Sequence, residues 1–545
     1  MLLLLLLLFC SCKHKKYPVV EQKSIVVVIP SYNNSRFCEQ NVLSVLNQNY
    51  KNFRIIYIDD CSTDDTYEKV KDKVSVLRNK KNVGALANLY NAVHSCKDTD
   101  IIVTVDGDDF LAHSDVLKTI NKAYADPNVW MTYGNYLDYP SYEQNPKICE
   151  KLPSNRNIRE GRWVTSHLRT FYAGLFKRIK LEDLCLDGNF LPMAGDLAHL
   201  MPMLEMAQGH VQFIDKVLYL YNRMNPLNDH KKSLQLQANC EHFVRTQPKY
   251  EKIKEWNSAE DSQTGLIVFS YNRPMQLYAL LESMEKFVAG ADEITVIYRV
   301  SGQDYQNGYE TVKNRFKNVN FIIENNDFHD LVLKTLSSPY VAFLVDDMII
   351  KAPIDLKECV AVMQKTKAYA FYLTHGKQLN FCYMQNCPQA IPPSVPLGNQ
   401  IYAWKFKEGH ADWKYPNSVD FVLYKKTEII QDLEKIHFYN PNSFESEWAK
   451  RSKCKGMGLY YETSKCVNIP LNLVNPSPNR NMHSYTPQEL LSLFTQGLKI
   501  DIGPLSLIEN NSRHMEYTPV FCEREKIGHA RGHGHGHEIR KEKKP

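Results

Sequence analysis

A chain of 545 residues is too long for one hydrophobic core, and size alone calls for about two to four domains. Hydrophobic residues make up 43% and charged residues 23%, the balance of an ordinary globular protein, and a net charge of +5 without a dense basic stripe excludes nucleic acid as the expected partner. The fourteen cysteines are scattered, without zinc-type spacing, and are expected to be mostly reduced and buried.

In chain order, Met1 to Phe9 carries Leu at every position from 2 to 8, a run too short to span a bilayer as a helix. Lys13, Lys15 and Lys16 follow it rather than precede it, which fits a secretory signal poorly. Residues 1–23 are read as an apolar segment and linker with peripheral membrane contact open to it. The expected location is the cytoplasm or the cytoplasmic membrane face, with secretion or lipid anchoring left open by the Leu tract. No other apolar run approaches eighteen residues.

Ser24 to Asn34 is a buried-strand run stopped by Pro30 and turn formers, and Phe53 to Thr66 is a second strand that ends in Asp59, Asp60, Asp64 and Asp65. Phe37 to Asn47 and Ala85 to Val93 carry apolar residues at helical spacing, so strands and helices alternate as in an α/β sheet. Ile101 to Leu111 is an apolar run that closes on Asp106, Asp108 and Asp109. Acids at the carboxyl end of a parallel strand stand on the usual ligand side of such a sheet. Carboxylates this close repel one another unless a cation sits among them. A hard divalent ion, Mg²⁺ or Mn²⁺, takes oxygen ligands and bridges to phosphates, so Asp106 and Asp108 are the expected metal and diphosphate site. A solvated acidic turn is the competing reading.

Four stretches stand in a fixed order: Ile-Pro-Ser-Tyr-Asn at 29–33, Asp-Asp-Cys-Ser-Thr-Asp-Asp-Thr at 59–66, Asn-Val-Gly at 82–84 and Asp-Gly-Asp-Asp at 106–109. Together they resemble the N-terminal half of a glycosyltransferase family 2 enzyme of the GT-A fold, over residues 24 to about 230. The resemblance implies that Pro30 and Tyr32 line a nucleotide, that Asp59 or Asp60 accepts a hydrogen bond from its base or ribose, and that Asn82 and Gly84 shape the pocket floor. It implies Mn²⁺ or Mg²⁺ and a nucleotide-sugar donor, a UDP-sugar first. Leu89 stands where the family often has Arg, a departure that bears on the pyrophosphate contact.

Trp130 to Tyr139 reads as a further strand. Arg159 to Trp163 matches the Arg-x-x-Arg-Trp signature of processive polysaccharide synthases, yet it precedes the expected catalytic acid and no membrane helices accompany it, so Trp163 is read as packing. Asp196 opens an apolar helix that runs through Glu205. A helix cap is one reading. The family resemblance gives the other, a general base that takes the proton of an acceptor hydroxyl. Val217 to Arg223 is the next strand, and His230 after it is either a surface histidine or, by resemblance, the late ligand that completes the metal site.

Residues 236–263 read as a helical linker, after which the chain starts again. Thr264 to Arg273 echoes the first strand and Ser338 to Ile349 echoes the strand of Asp106. Asp106 follows Tyr32 by 74 positions and Asp346 follows Tyr271 by 75, as a duplicated domain would leave. Residues 264–520 are therefore expected to form a second GT-A-like domain, with Asp346 and Asp347 as acids, Glu445 or Glu447 as base and His483 as metal ligand. Tyr402, Trp404, Trp413 and Tyr415 are candidates for stacking on sugar rings or for core packing. The tail, residues 521–545, alternates His and Gly before a Lys-rich end and is expected to be disordered.

The expected architecture is thus α/β, with tandem GT-A domains of mostly parallel sheet flanked by helices. The expected function is metal-dependent, inverting transfer of a sugar to an acceptor hydroxyl on a glycan, lipid-linked or protein acceptor, in glycan or surface polysaccharide synthesis. A nucleotidyltransferase would also use acids on a parallel sheet, but the Gly-rich loop with Arg and Lys that it needs is not found near the first strand. A non-catalytic carbohydrate-binding scaffold is the other alternative, and it fits the second half better than the first.

Overall fold

β-Branched runs buried on both faces fix the centre of each sheet. Ile25–Ser31 forms β1, Phe53–Asp59 β2, Val76–Arg78 β3 and Ile101–Thr104 β4, all mutually parallel. The computed structural model describes residues 21–525 except 145–149, 153–156, 227–232, 257–260, 325–326, 453–454, 474–479 and 481–483. The Leu tract, His230, His483 and the His-Gly tail lie outside the described residues, but the start of the stretch expected to be disordered is ordered, since Phe521–Glu523 is a strand paired antiparallel with Leu498–Ile500. The chain divides into two compact units, one of Met1–Leu186 with Phe190–Ala259 and one of Asp187–Asn189 with Glu260–Pro545. No described helix is long and apolar enough to cross a membrane.

In the first unit, Phe110–Leu111 is β5, Met131–Tyr139 β6, Thr170–Tyr172 β7 and Val211–Asn222 β8. The sheet order is β3-β2-β1-β4-β7-β6-β8-β5, with β7 antiparallel to both β4 and β6 and β8 parallel to β6. The helices are α1 Cys38–Leu46, α2 Thr66–Val70, α3 Ala85–His94, α4 Val116–Ala123, α5 Ala173–Phe176 and α6 Gly195–Met206. Leu234–Thr246 forms α7, so the segment read as a linker begins inside a helix of this unit. Buried Arg159 ties α6 to α7: its guanidinium bonds the Glu205 carboxylate at 2.6 and 2.8 Å and donates to the Val244 carbonyl at 2.6 Å.

The second unit repeats this connectivity. Its strands include β9 Thr264–Tyr271, β10 Glu293–Arg299, β11 Asn320–Ile323, β12 Tyr340–Val345, β13 Met348–Ile350, β14 Ala370–Tyr372, β15 Ser394–Gly398, β16 Ile401–Lys405, β17 Val422–Lys425, β18 Met457–Tyr461 and β19 Cys466–Asn468. Seven of them run β11-β10-β9-β12-β17-β14-β18, the order and directions of β3-β2-β1-β4-β7-β6-β8, and β16 and β15 extend the edge. The turn after the first strand recurs too. Asn33 and Asn272 both adopt left-handed φ, 52° and 55°, a region Asn tolerates, and their side chains accept from Thr63 N at 2.8 Å and Ser301 N at 2.9 Å.

Strand register corrects the alignment drawn from spacing. Val28 pairs with Thr104 and Ile267 with Phe343, so with Ser31 matched to Ser270, Asp106 corresponds to Val345, Gly107 to Asp346 and Asp108 to Asp347. The extra residue in the second spacing arises because Asp346 fills the place of the glycine.

Candidate active site

The acidic turn after β4 is held from three sides. Asn41 on α1 donates to the carbonyls of Asp106 and Asp109 at 2.9 and 2.7 Å, and the Asp106 N–H donates to the Tyr219 hydroxyl at 3.1 Å. Gly107 is required by close approach, since a Cβ there would lie 2.5 Å from Ser31 Oγ and 2.7 Å from Asn34 Nδ2. Asp106 keeps about half of its side chain in solvent, at 54% exposure, whereas Asp109 is buried. Asp109 accepts from Tyr219 OH at 2.8 Å and from the Asn222 N–H at 2.7 Å.

Here the ligand atoms of Asp106, Asp109 and His167 converge, all within 4.8 Å of one another; among the described residues Asp327, His329 and Asp330 of the second unit make one other such group. Asp108, expected beside Asp106, is not among them, because its Oδ2 is turned to Asn225 Nδ2 at 2.7 Å. His167 reaches the acids because β7 runs antiparallel beside β4: continuing the register from Val103 and Thr170 sets it opposite Asp106. Its ring stacks on Tyr219 at 4.4 Å, and its Nε2 lies 3.5 Å from Asp106 Oδ2. Burial, and then Arg169, hold the imidazole below its ordinary pKa and so in the neutral, ligating form. Desolvation works against ionisation of Asp106, but His167, Arg169 and His199 together keep its carboxyl below the usual range. Asp109 is pushed well above that range by burial and by the charges of Asp108 and Asp106, a repulsion that a bound cation would relieve.

Asp196 lies in the first turn of α6. It is not the cap, since Ala194 holds that position with φ 55°. Its Oδ1 accepts from Leu197 N at 2.9 Å, its Oδ2 pairs with Arg169 at 3.1 Å, and a third of its side chain is exposed. His199, one turn on, is buried against its own helix, with Nδ1 2.6 Å from the Gly195 carbonyl. Burial and then Arg169 lower its pKa to about 4.

The residues expected around a nucleotide gather at the carboxyl ends of β1 and β2. Tyr32 is partly exposed beside Pro30. Asp59 and Asp60 are both buried, and the Asp59 carboxylate oxygens make no hydrogen bond among the described residues. Asp59 pairs with Arg78 at 3.1 Å, and Asp60 accepts from Asn79 Nδ2, Val83 N and Gly84 N at 2.7, 2.9 and 2.8 Å. Asp60 therefore builds the loop that carries Asn82 and Gly84. Gly84, at φ 89°, has open space around it and is needed for its backbone conformation.

A family model for glycosyl transferase family 2 matches residues 26–184. Glycosyltransferase GlyG of Streptococcus pneumoniae is 30% identical over 216 residues, which span 36% of this chain and 70% of the relative. The chain belongs to glycosyltransferase family 2. The bifunctional glycosyltransferase pgtA of Dictyostelium discoideum is 27% identical over 212 residues, 33% of this chain and 27% of that protein. An uncharacterized glycosyltransferase of Haemophilus influenzae is 36% identical over 118 residues, 21% of this chain and 46% of that protein. The chain thus spans less than half the length of these two relatives. Staphylococcus aureus TarS 1–349, solved with UDP-GlcNAc, aligns with 41% of this chain and 70% of its own at 16% identity and a TM-score of 0.32.

The family 2 match stops short of the second unit, where the corresponding groups are differently engaged. The place of Asp106 holds Val345, and Asp420, before β17, stands where His167 stands before β7. Arg273 on the loop after β9 bridges both acids, with Nη1 2.9 Å from Asp346 and 3.1 Å from Asp347. Burial outweighs that pairing and raises the Asp346 carboxyl to about 6. Asp347 also accepts from Asn468 at 2.9 Å. Glu445, on the helix Pro441–Lys450, accepts from Val419 N at 3.3 Å, and burial followed by Asp420 raises its pKa. Glu447 pairs instead with Lys450. For Trp404 and Trp413 the packing reading holds: both are buried in the core, their indole N–H groups donating to the carbonyls of Trp413 and Leu379, so neither is open to a ligand. Tyr415 alone of the four faces the cleft described below.

Proposed function

We propose that the first unit transfers a sugar from a nucleotide-diphosphate donor to an acceptor hydroxyl, in the assembly of a glycan or surface polysaccharide. The observation that carries this reading is the convergence of Asp106, Asp109 and His167 at the carboxyl end of β4 in a family 2 frame. The donor set fits a divalent cation: two carboxylates, one of them driven up by burial and by its neighbours' charges, and a neutral imidazole whose Nε2, 3.5 Å from Asp106, makes no hydrogen bond among the described residues. Oxygen and imidazole ligands together suit Mn²⁺, and Mg²⁺ is the alternative. When bound, such an ion supplies charge neutralisation for a departing diphosphate.

The rest of the chemistry belongs to the protein. The acceptor oxygen attacks the anomeric carbon, the bond from that carbon to the diphosphate oxygen breaks with its electron pair leaving on the diphosphate, and configuration inverts. The hydroxyl proton passes to Asp196, whose carboxylate Arg169 orients from 3.1 Å. Tyr219 and Asn222 fix Asp109, and Asn225 fixes Asp108, so the acids need little reorganisation. UDP-sugars are the first donors to test, with glycan, lipid-linked and protein acceptors.

The experiment is a panel of nucleotide sugars, assayed for Mn²⁺-dependent hydrolysis and transfer with the full chain. The reading expects turnover of one donor class that stops in chelator. Full activity in chelator would overturn the metal, and no turnover of any nucleotide sugar would overturn the transfer.

A further inference from the structure

The second unit holds a cleft of about 840 Å³, the size of a small-molecule or oligosaccharide site. Its floor is the turn after β12, its walls are the loop after β9 and the carboxyl end of β10, and the helix Pro441–Lys450 closes one side. Every described cation that lines it already has a carboxylate. Arg273 is held by Asp346 and Asp347, and Arg299 lies 3.6 Å from Glu324. Arg513 and His514 lie 3.1 and 3.3 Å from Asp420. Lys450 pairs with Glu447, and Arg480 pairs with Glu516.

Two lining carboxylates, Asp412 and Glu445, have no ion pair among the described residues; they accept from Gln389 and the Val419 N–H instead. Such a surface disfavours a diphosphate, which needs uncommitted positive charge. Nor does it offer a metal site at Asp346 and Asp347, because the Arg273 guanidinium occupies the space between the acids that a cation would need. What it does present is acceptors and amides at the wall, Glu445, Asn442 and Gln385 among them, and a rim tyrosine, Tyr439, with 74% of its surface exposed. Carboxylates and amides satisfy vicinal hydroxyls, and an exposed aromatic face covers the C–H face of a pyranose.

We propose that this cleft binds a neutral oligosaccharide without metal, as a glycan-holding site distinct from the acidic turn of the first unit. The hydroxyl groups of the sugar would bond Glu445 and Asn442, and one ring would lie on Tyr439. The proposal does not depend on transfer by the first unit.

The test uses the full chain in EDTA, applied first to an array of neutral and acidic glycans and then to the retained glycan by saturation-transfer NMR. Retention of neutral glycans is expected, unchanged by Asp106→Asn. Tyr439→Ala and Asn442→Ala, both at exposed positions, should each weaken binding by about fivefold, the size of one stacking or hydrogen-bonding contact, without moving Tm. Absence of any retained neutral glycan, binding that neither substitution alters, or displacement of the glycan by UDP or UDP-GlcNAc would each overturn the proposal.

Discussion

The two units run the same seven strands in the same order and differ in what the strand ends carry. In the first, the end of β4 presents Asp106 to solvent beside an imidazole and a second acid. In the second, Val345 replaces that aspartate, an acid replaces the glycine, and Arg273 neutralises what remains. A sheet order is held by buried aliphatic runs, which both units retain, whereas a metal site needs particular atoms within a few ångströms. The frame therefore tolerates different groups at its strand ends.

Substitutions that separate the units test this contrast. The largest effect is expected from Asp106→Asn, which should lower transfer by about 10³-fold or more by removing charge from the site of the diphosphate's cation. Asp347→Asn, in the corresponding place of the second unit, should leave transfer near wild type, and equal losses from both would erase the distinction. Next, Asp196→Asn should cut transfer by about 10²- to 10⁴-fold while donor affinity stays nearly constant, since the base meets the acceptor. Transfer near wild type in that variant would reduce Asp196 to a partner of Arg169.

A smaller effect concerns the glycine. Gly107→Ala forces a Cβ against Ser31 and Asn34 and should cost about 1–3 kcal/mol in chemical denaturation, with Mn²⁺ affinity falling in parallel. In the second unit the same place is filled by Asp346, which accepts from Ser270 Oγ at 2.8 Å. The smallest effect is on acid stability. His199 has its pKa lowered to about 4 in the folded protein, so the unfolded chain takes up that proton first and stability falls as pH drops from about 6.5 to about 4. The wild-type Tm should decline more steeply over that interval than that of His199→Asn, by several degrees. Parallel curves would show that His199 does not contribute.

The aliphatic runs, the helices near residues 38–46 and 85–94 and the acidic turn are all legible in the sequence, because each is a local pattern. His167 and Arg169 are not, because they reach the acids only through the antiparallel pairing of β7 with β4, a contact across more than sixty residues of chain. Asp109 stands in plain view in the motif, yet only the fold decides that it, rather than Asp108, turns toward Asp106. Counting from acid to acid put Asp346 in the place of Asp106, whereas counting along the hydrogen-bonded register puts Val345 there. Trp404 and Trp413 had the residue type for sugar stacking, and burial decides against it.

The most direct measurement is the stoichiometry of Mn²⁺ binding by the full chain, read by electron paramagnetic resonance. The account predicts one ion bound at the acidic turn, lost in Asp106→Asn and kept in Asp347→Asn. An ion that survives Asp106→Asn, or one that disappears with Asp347→Asn, would contradict it.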